Sequence, residues 1–194
     1  TSTLNFNGSG GEAGWSVPNG KVILGAKIIS SGDSISDFSV FRPTMPGETW
    51  NGWTLGANEY GFAFKDNGLG FNYGVQFELY YADPLDGYTI TKSSTLNYSG
   101  TGWGGWSAPA GQFVTGGGYQ FENAGAYPQV SQIALENSSW PHYNYGSAEQ
   151  GWVVQSGAVG GPTDLYVISS NVPEPATICL LGLGGLLLRR RKNA

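Results

Sequence analysis

Few residues of this sequence have the types and spacing that catalysis requires. His142 is the only histidine among the 194 residues, and the only cysteine, Cys179, lies in an apolar segment near the C-terminus. Ser-His-Asp and Cys-His arrangements need a histidine base beside the nucleophile, and no Gly-x-Ser-x-Gly motif occurs. His142 stands in a loop-like stretch, where a solvent-exposed side chain is expected. We therefore predict that the chain is not an enzyme.

Paired carboxylates could serve a glycosidase, and the closest such pair is Asp83 and Asp86. Pro84 and Gly87 mark this pair as part of a turn. Two carboxylates in a turn also fall short of a calcium-loop signature, and no glycine-rich phosphate loop with its lysine is present. We expect no metal site and no cofactor.

Aromatic residues in segments rich in Gly, Pro and Asn are the remaining candidates for function. Exposed rings can stack on sugar faces, and nearby amides can bind sugar hydroxyls. The same rings could instead cover the ends of a sheet that is rich in glycine and poor in large aliphatic side chains. The predicted glycan-binding residues are Trp140, Tyr143, Tyr145, Trp50 and Trp53.

Composition predicts an all-β fold. The chain has 32 glycines, 14% aromatic residues and only 12% charged residues, whereas disordered chains are rich in charge and poor in aromatics. Four of the nine basic residues lie in the last six positions, so residues 1–172 carry five basic and thirteen acidic groups. Such a surface repels phosphate backbones, and no nucleic-acid partner is expected.

The body of the sequence contains an internal repeat. Ser2–Phe6 returns as Ser94–Tyr98 after 92 residues, and Gly14–Gly20 returns as Gly105–Gly111 after 91. Internal similarity at a fixed period indicates duplicated structural units. We predict a first β repeat at residues 1–86 and a second at residues 87–171.

Each repeat reads as several short strands. Apolar residues alternate at Val22, Leu24, Ala26 and Ile28, and again along 75–81, which is typical of strands with one buried face. Gly116–Gly118 within a strand indicates a bulge or a closely approached face. The Gly-Trp-Ser-x-Pro-x-Gly pattern resembles short Gly/Trp-rich all-β repeats of secreted bacterial proteins. We predict an antiparallel β-sandwich built from two tandem repeats.

Residues 172–194 form a third segment. Ala176–Leu188 contains no charge, follows Pro173 and Pro175, and precedes Arg189, Arg190, Arg191 and Lys192. Thirteen helical residues span about 20 Å, less than the roughly 30 Å hydrocarbon core of a bilayer. The prolines separate the segment from the body, and the basic cluster favours a cytoplasmic end. We predict a single C-terminal transmembrane helix rather than a buried core helix.

Val172, Pro173, Glu174 and Pro175, followed by the apolar run and the basic cluster, resemble the PEP-CTERM sorting signal. Tails of this kind are also catalogued as an ice-binding protein C-terminal domain, a label that describes the tag only. The resemblance implies export, recognition by an exosortase-type processing enzyme, and transient membrane anchoring. Release to the cell surface or extracellular matrix would follow. Since the sequence begins without Met, we expect it to follow a removed signal peptide or to be a fragment.

We therefore predict an exported, non-catalytic protein of the cell surface or exopolysaccharide matrix. The alternative is a carbohydrate-binding module that holds exopolysaccharide through its loop aromatics.

Overall fold

The structure is a computed structural model that describes residues 2–6, 12–29, 38–50, 53–66, 75–93, 96–97, 102–121, 128–141, 143–156 and 162–171. All regular structure in these ranges is β, and every strand pairing is antiparallel. The strands are β1 Ser2–Phe6, β2 Glu12–Ser16, β3 Val22–Ile28, β4 Phe38–Thr44, β5 Thr49–Trp50, β6 Trp53–Thr54, β7 Gly61–Asp66, β8 Val75–Ala82, β9 Thr89–Lys92, β10 Leu96–Asn97, β11 Trp103–Ser107, β12 Gln112–Phe121, β13 Pro128–Ala134, β14 Ser139–Trp140, β15 Tyr143–Asn144, β16 Gly151–Ser156 and β17 Pro162–Asn171. The predicted all-β class is confirmed.

Strand pairing follows the same order in the two parts of the chain. In residues 2–82 the orders are β1-β8-β3 and β2-β7-β4, and in residues 96–171 they are β10-β17-β12 and β11-β16-β13. β9 adds to the outer side of β17. The tandem repeat and its boundary near residue 86 stay predictions, and this shared order supports them.

Turns and bulges also recur at equivalent places. Lys21 N donates to Pro18 O at 3.0 Å, and Gln112 N donates to Pro109 O at 3.1 Å. Bulges interrupt β3 between Ile23 and Gly25 and β12 between Val114 and Gly116. Each residue from 38 to 66 corresponds to the residue 90 positions later in the second part. The hydrogen bonds Leu55 N–Glu48 O and Tyr145 N–Ser138 O, both 3.0 Å, are therefore equivalent.

One pairing between the two parts creates a seven-stranded sheet. β12 pairs with β4 through Tyr119↔Phe41 and Gln120↔Val40, which gives the order β10-β17-β12-β4-β7-β2 with β9 beside β17. Side chains at the three glycines of β12 would collide with neighbours: a Cβ on Gly116 would meet Leu24 O, and one on Gly118 would meet Phe41 O. The predicted bulge and close approach at Gly116–Gly118 are both present.

The main core contains side chains from both parts of the chain. Phe38, Phe41, Phe64 and Phe77 pack with ring centroids 3.9–6.4 Å apart, mostly edge to face or tilted, as aromatic quadrupoles prefer. The second part contributes the buried side chains Tyr119, Phe121, Val154, Leu165 and Ile168. A smaller cluster of Ala134, Tyr145 and Val153 lies beneath the β14–β15 hairpin.

Two details of the strands differ from the expected pattern. The bulge at Leu24 shifts the alternation of β3, so Ile23 is fully buried in the core with Ala26 and Ile28 packed nearby, whereas Leu24 is only half-buried. β4 was not predicted, because all seven of its residues are buried and no alternation marks it. β4 also contains Pro43, which lies opposite Phe62 of β7. Pairing with β12 involves only Val40 and Phe41, so it does not include the proline.

The predicted transmembrane helix at 172–194 lies outside the described residues. Within the described ranges there is no helix that could span a bilayer.

Candidate functional site

Four of the five predicted glycan-binding rings lie on two equivalent hairpins. β5 pairs with β6 through Trp50↔Trp53, and β14 pairs with β15 through Trp140↔Tyr143. On the first hairpin, the hydroxyls of Thr49 and Thr54 are 3.1 Å apart. At the equivalent positions of the second hairpin, Ser139 Oγ donates to Asn144 Oδ1 at 2.7 Å. Short polar side chains that hydrogen-bond across a two-residue strand pair hold each hairpin in register.

The β14–β15 hairpin presents a half-buried aromatic cluster. Trp140 packs against Trp103 with ring centroids 5.5 Å apart and planes inclined at 40°, and its indole nitrogen donates to Ser138 Oγ at 3.3 Å. The Tyr143 ring lies over Gly105, where a Cβ would come within 2.7 Å of it. A ring can lie this close to the sheet only because position 105 lacks a side chain.

Tyr145 lies beneath this cluster and not on its surface. Its side chain is 6% exposed, and burial, with a smaller contribution from nearby Tyr143, raises the pKa of Tyr145 to about 12. Tyr145 therefore lies under Trp140 and Tyr143 as a neutral phenol, and only these two outer rings are partly exposed.

The rings of the β5–β6 hairpin also pack onto the sheet. The Trp53 ring covers Gly14 and Gly61. Trp50 lies against a cation, since Cζ of Arg42 is 5.1 Å from the Trp50 ring centroid, and the Trp50 indole nitrogen is buried. Both rings here are largely occupied by contacts within the chain.

Sequence reasoning missed the buried Arg42 network. The Arg42 side chain is 3% exposed, and its guanidinium contacts Glu48 at 2.5 Å, Gln120 Oε1 at 2.7 Å and Pro43 O at 3.0 Å. Its Cζ also lies 4.8 Å from the Tyr166 ring centroid. A lone arginine within an apolar stretch, with a glutamate six positions later, was the available signal.

The described carboxylates are used in structural contacts. Asp83 pairs with Lys21 at 2.6 Å, Asp86 Oδ2 accepts from Asn171 Nδ2 at 3.0 Å, and Glu59 Oε2 accepts from Gly56 N at 2.8 Å. Tyr88 N donates to Leu85 O at 3.1 Å, which closes a turn that contains Asp86 and Gly87, and Asp83 lies just before this turn. Across the described ranges, no three His, Cys, Asp or Glu side chains are grouped to hold a metal ion.

Several predicted residues lie outside the described part of the chain. These are His142, the sorting residues Val172, Pro173, Glu174 and Pro175, and the basic cluster Arg189, Arg190, Arg191 and Lys192.

Comparison with protein families identifies the C-terminal segment. Residues 171–192 match the PEP-CTERM protein-sorting motif, which covers 22 of the 194 residues. The predicted resemblance of this segment is confirmed, and the chain carries the tag of a secreted or surface protein that an exosortase-type system sorts. Neither the curated proteins nor the solved structures yielded a match to this chain.

Proposed function

We propose that the protein is a non-catalytic component of the cell surface or extracellular matrix. Its all-β body is displayed outside the cell after the tail has been processed. The observation that carries this proposal is the sorting motif at residues 171–192, which follows directly on the last strand of a folded body. Engagement of the described carboxylates in turns and ion pairs supports a non-catalytic role.

The composition of the tail supports a transient membrane step. A thirteen-residue uncharged run is short for a full bilayer span, and four cations follow it directly. Basic residues after an apolar segment favour the cytoplasmic side. Pro173 and Pro175 are residue types that disfavour a helix interior, and together with Glu174 they form the short motif that a processing enzyme would recognise.

Substitution within the sorting motif tests the proposal in the cell that makes the protein. We expect wild-type chains to lose the apolar tail and to be recovered outside the cytoplasmic membrane. Glu174→Ala should leave full-length chains in the membrane fraction, because the processing enzyme recognises the Pro-Glu-Pro segment. Intact mass and cell fractionation measure both properties.

Asn193→Ala is the matched control, since it alters the tail outside the matched residues. The proposal is wrong if wild-type protein is found full-length in the cytosol, or if both variants are processed alike.

Binding of exopolysaccharide through the β14–β15 hairpin is a second candidate function. Trp103 and Trp140 form an inclined pair of half-buried rings, and Ser139 and Asn144 add polar groups on the same hairpin. Partly exposed aromatic rings of this kind are suited to stacking on the apolar faces of a sugar.

A glycan array followed by titration of any bound polysaccharide tests this candidate. Trp140→Ala should weaken binding about tenfold, a loss of roughly 1.4 kcal/mol. Thr54→Ala, an exposed change on the other hairpin, should leave the affinity unchanged. Equal affinities for the two variants, or no binding by the wild-type chain, would exclude a lectin role for this hairpin.

A further inference from the structure

The two parts of the chain differ in one strand pairing. β12 pairs with β4 at Tyr119↔Phe41 and Gln120↔Val40. The equivalent strands are β3 and β13, and they do not pair. Among the described strands, β3 pairs only with β8, and β13 pairs only with β16. Within the described residues, no strand therefore pairs with the outer edge of either β3 or β13.

An open groove of about 790 Å³ lies between these two edges. Leu24, Ala26 and Tyr80 line one side, and Ser131, Ile133 and Leu135 line the other. Leu135 is 62% exposed, and Ile29, the residue after β3, is 40% exposed; they are the large hydrophobic side chains most exposed within the described ranges. Exposed apolar residues beside unpaired strand edges are typical of sites that bind another strand.

Charges that usually block strand addition are absent from one of these edges and sparse in the other. β13 contains no charged residue, and Lys27 is the only one in β3. Free edges in natural sheets are commonly protected by lysine or by inward-pointing charges. The composition of β13 therefore favours a polypeptide strand as the occupant of the groove.

We propose that the groove pairs with a second copy of this chain. β12 is the counterpart of β3, and β4 is the counterpart of β13. The β12–β4 pairing therefore shows that strands in these two positions can pair edge to edge within this fold. A second copy presents both missing partners, its β3 to β13 and its β13 to β3, in a two-fold arrangement in which each contact occurs twice. β3 corresponds to β12 at an offset of 91 residues, and β4 corresponds to β13 at an offset of 90. Transfer of the β12–β4 register therefore places Ile28 opposite Ser131 and Ile29 opposite Val130 of the other copy. This inference goes beyond the proposed function and does not require glycan binding.

Mixing of single-cysteine variants tests the pairing. In the full chain carrying Cys179→Ser, Ile29→Cys and Val130→Cys are made separately, mixed and mildly oxidised. We expect a covalent heterodimer on a non-reducing gel, with at least about tenfold more of it than from Val130→Cys mixed with Asn19→Cys. Asn19 lies in the exposed turn before β3, so its cross-linking measures association through the tail or by collision.

Two outcomes would overturn the proposal. Equal cross-linking by the test and control mixtures would show that the groove does not meet a second copy. An internal disulfide alone in the double variant Ile29→Cys/Val130→Cys would show that β3 and β13 close within one chain.

A charge placed in the groove provides an independent measurement. Leu135→Lys should raise the dissociation constant of the dimer about tenfold or more in sedimentation experiments, because pairing would bury the ammonium group. Asn19→Lys adds the same charge in the turn before β3. Equal dissociation constants for the two variants would contradict the proposed interface.

Discussion

Arg42 is the most deeply buried charged residue in the described structure. Burying a guanidinium costs several kcal/mol unless ion pairing and hydrogen bonds compensate. Glu48, Gln120 and the Pro43 carbonyl provide that compensation. Gln120 belongs to β12 and Arg42 to β4, so the network also joins the two parts of the chain. The equivalent residues in the second part, Gln132 and Ser138, carry no charge.

We predict that Arg42→Ala lowers the free energy of unfolding by about 3–5 kcal/mol, because Glu48 and Gln120 lose their buried partner. Lys21→Ala removes the exposed pair with Asp83 and should cost about 0–1 kcal/mol. Urea denaturation of the two variants measures the difference. Similar losses for both would show that the buried network contributes no more than a surface ion pair.

The glycines of β12 determine how closely the elements approach each other. Gly118 faces the backbone of β4, where an added Cβ would meet Phe41 O and come within 2.6 Å of Arg42 Cα. Backbone atoms within a paired strand cannot move aside as a flexible side chain can. The junction between β12 and β4 therefore depends on the missing side chain at this position.

Gly118→Ala should destabilise the protein by about 1–3 kcal/mol, the usual cost of overpacking. Gly146→Ala is the matched control, since its Cβ would lie 3.5 Å from Glu149 Oε2 at ordinary contact distance. We expect this control to change stability by no more than about 0.5 kcal/mol. Thermal denaturation of both variants measures the difference in stability. Equal melting temperatures would show that β4 can move away from Gly118 without a loss of folding free energy.

At the scale of the whole molecule, the two parts share their main core. Phe38, Phe64 and Phe77 from the first part lie in one cluster with Tyr119 and Leu165 from the second. The seven-stranded sheet crosses between the parts as well. Neither part can lose its fold without exposing side chains of the other.

We therefore expect the body to unfold in a single cooperative transition. Calorimetry should give a calorimetric enthalpy equal to the van't Hoff enthalpy, as for a two-state domain. Val154→Ala, a cavity in the shared core, should lower the melting temperature without splitting the transition. Two separate transitions would show that residues 1–86 and 87–171 are independent modules.

Local sequence patterns determined much of this protein. The sorting motif is contiguous, so its residue types and order identify it without any fold. The all-β class followed from composition. The buried face of β8 followed from alternation, because Phe77, Leu79 and Tyr81 do lie on the core side. The turn that contains Asp86 followed from Pro84 and Gly87, residue types with restricted or special backbone preferences.

Only the tertiary structure decided the remainder, because it depends on which distant strands meet. β4 reads as a poor strand, yet both of its faces are buried, because Phe41 packs in the main core and Arg42 lies against the rings of Trp50 and Tyr166. Tyr145 differs from Trp140 in exposure because it lies under the hairpin, and nothing in its local sequence marks that position. The open groove arises because β3 and β13 remain apart where β12 and β4 pair. Of two structurally equivalent strand pairs, one is thus formed and the other is not, which only long-range packing can determine.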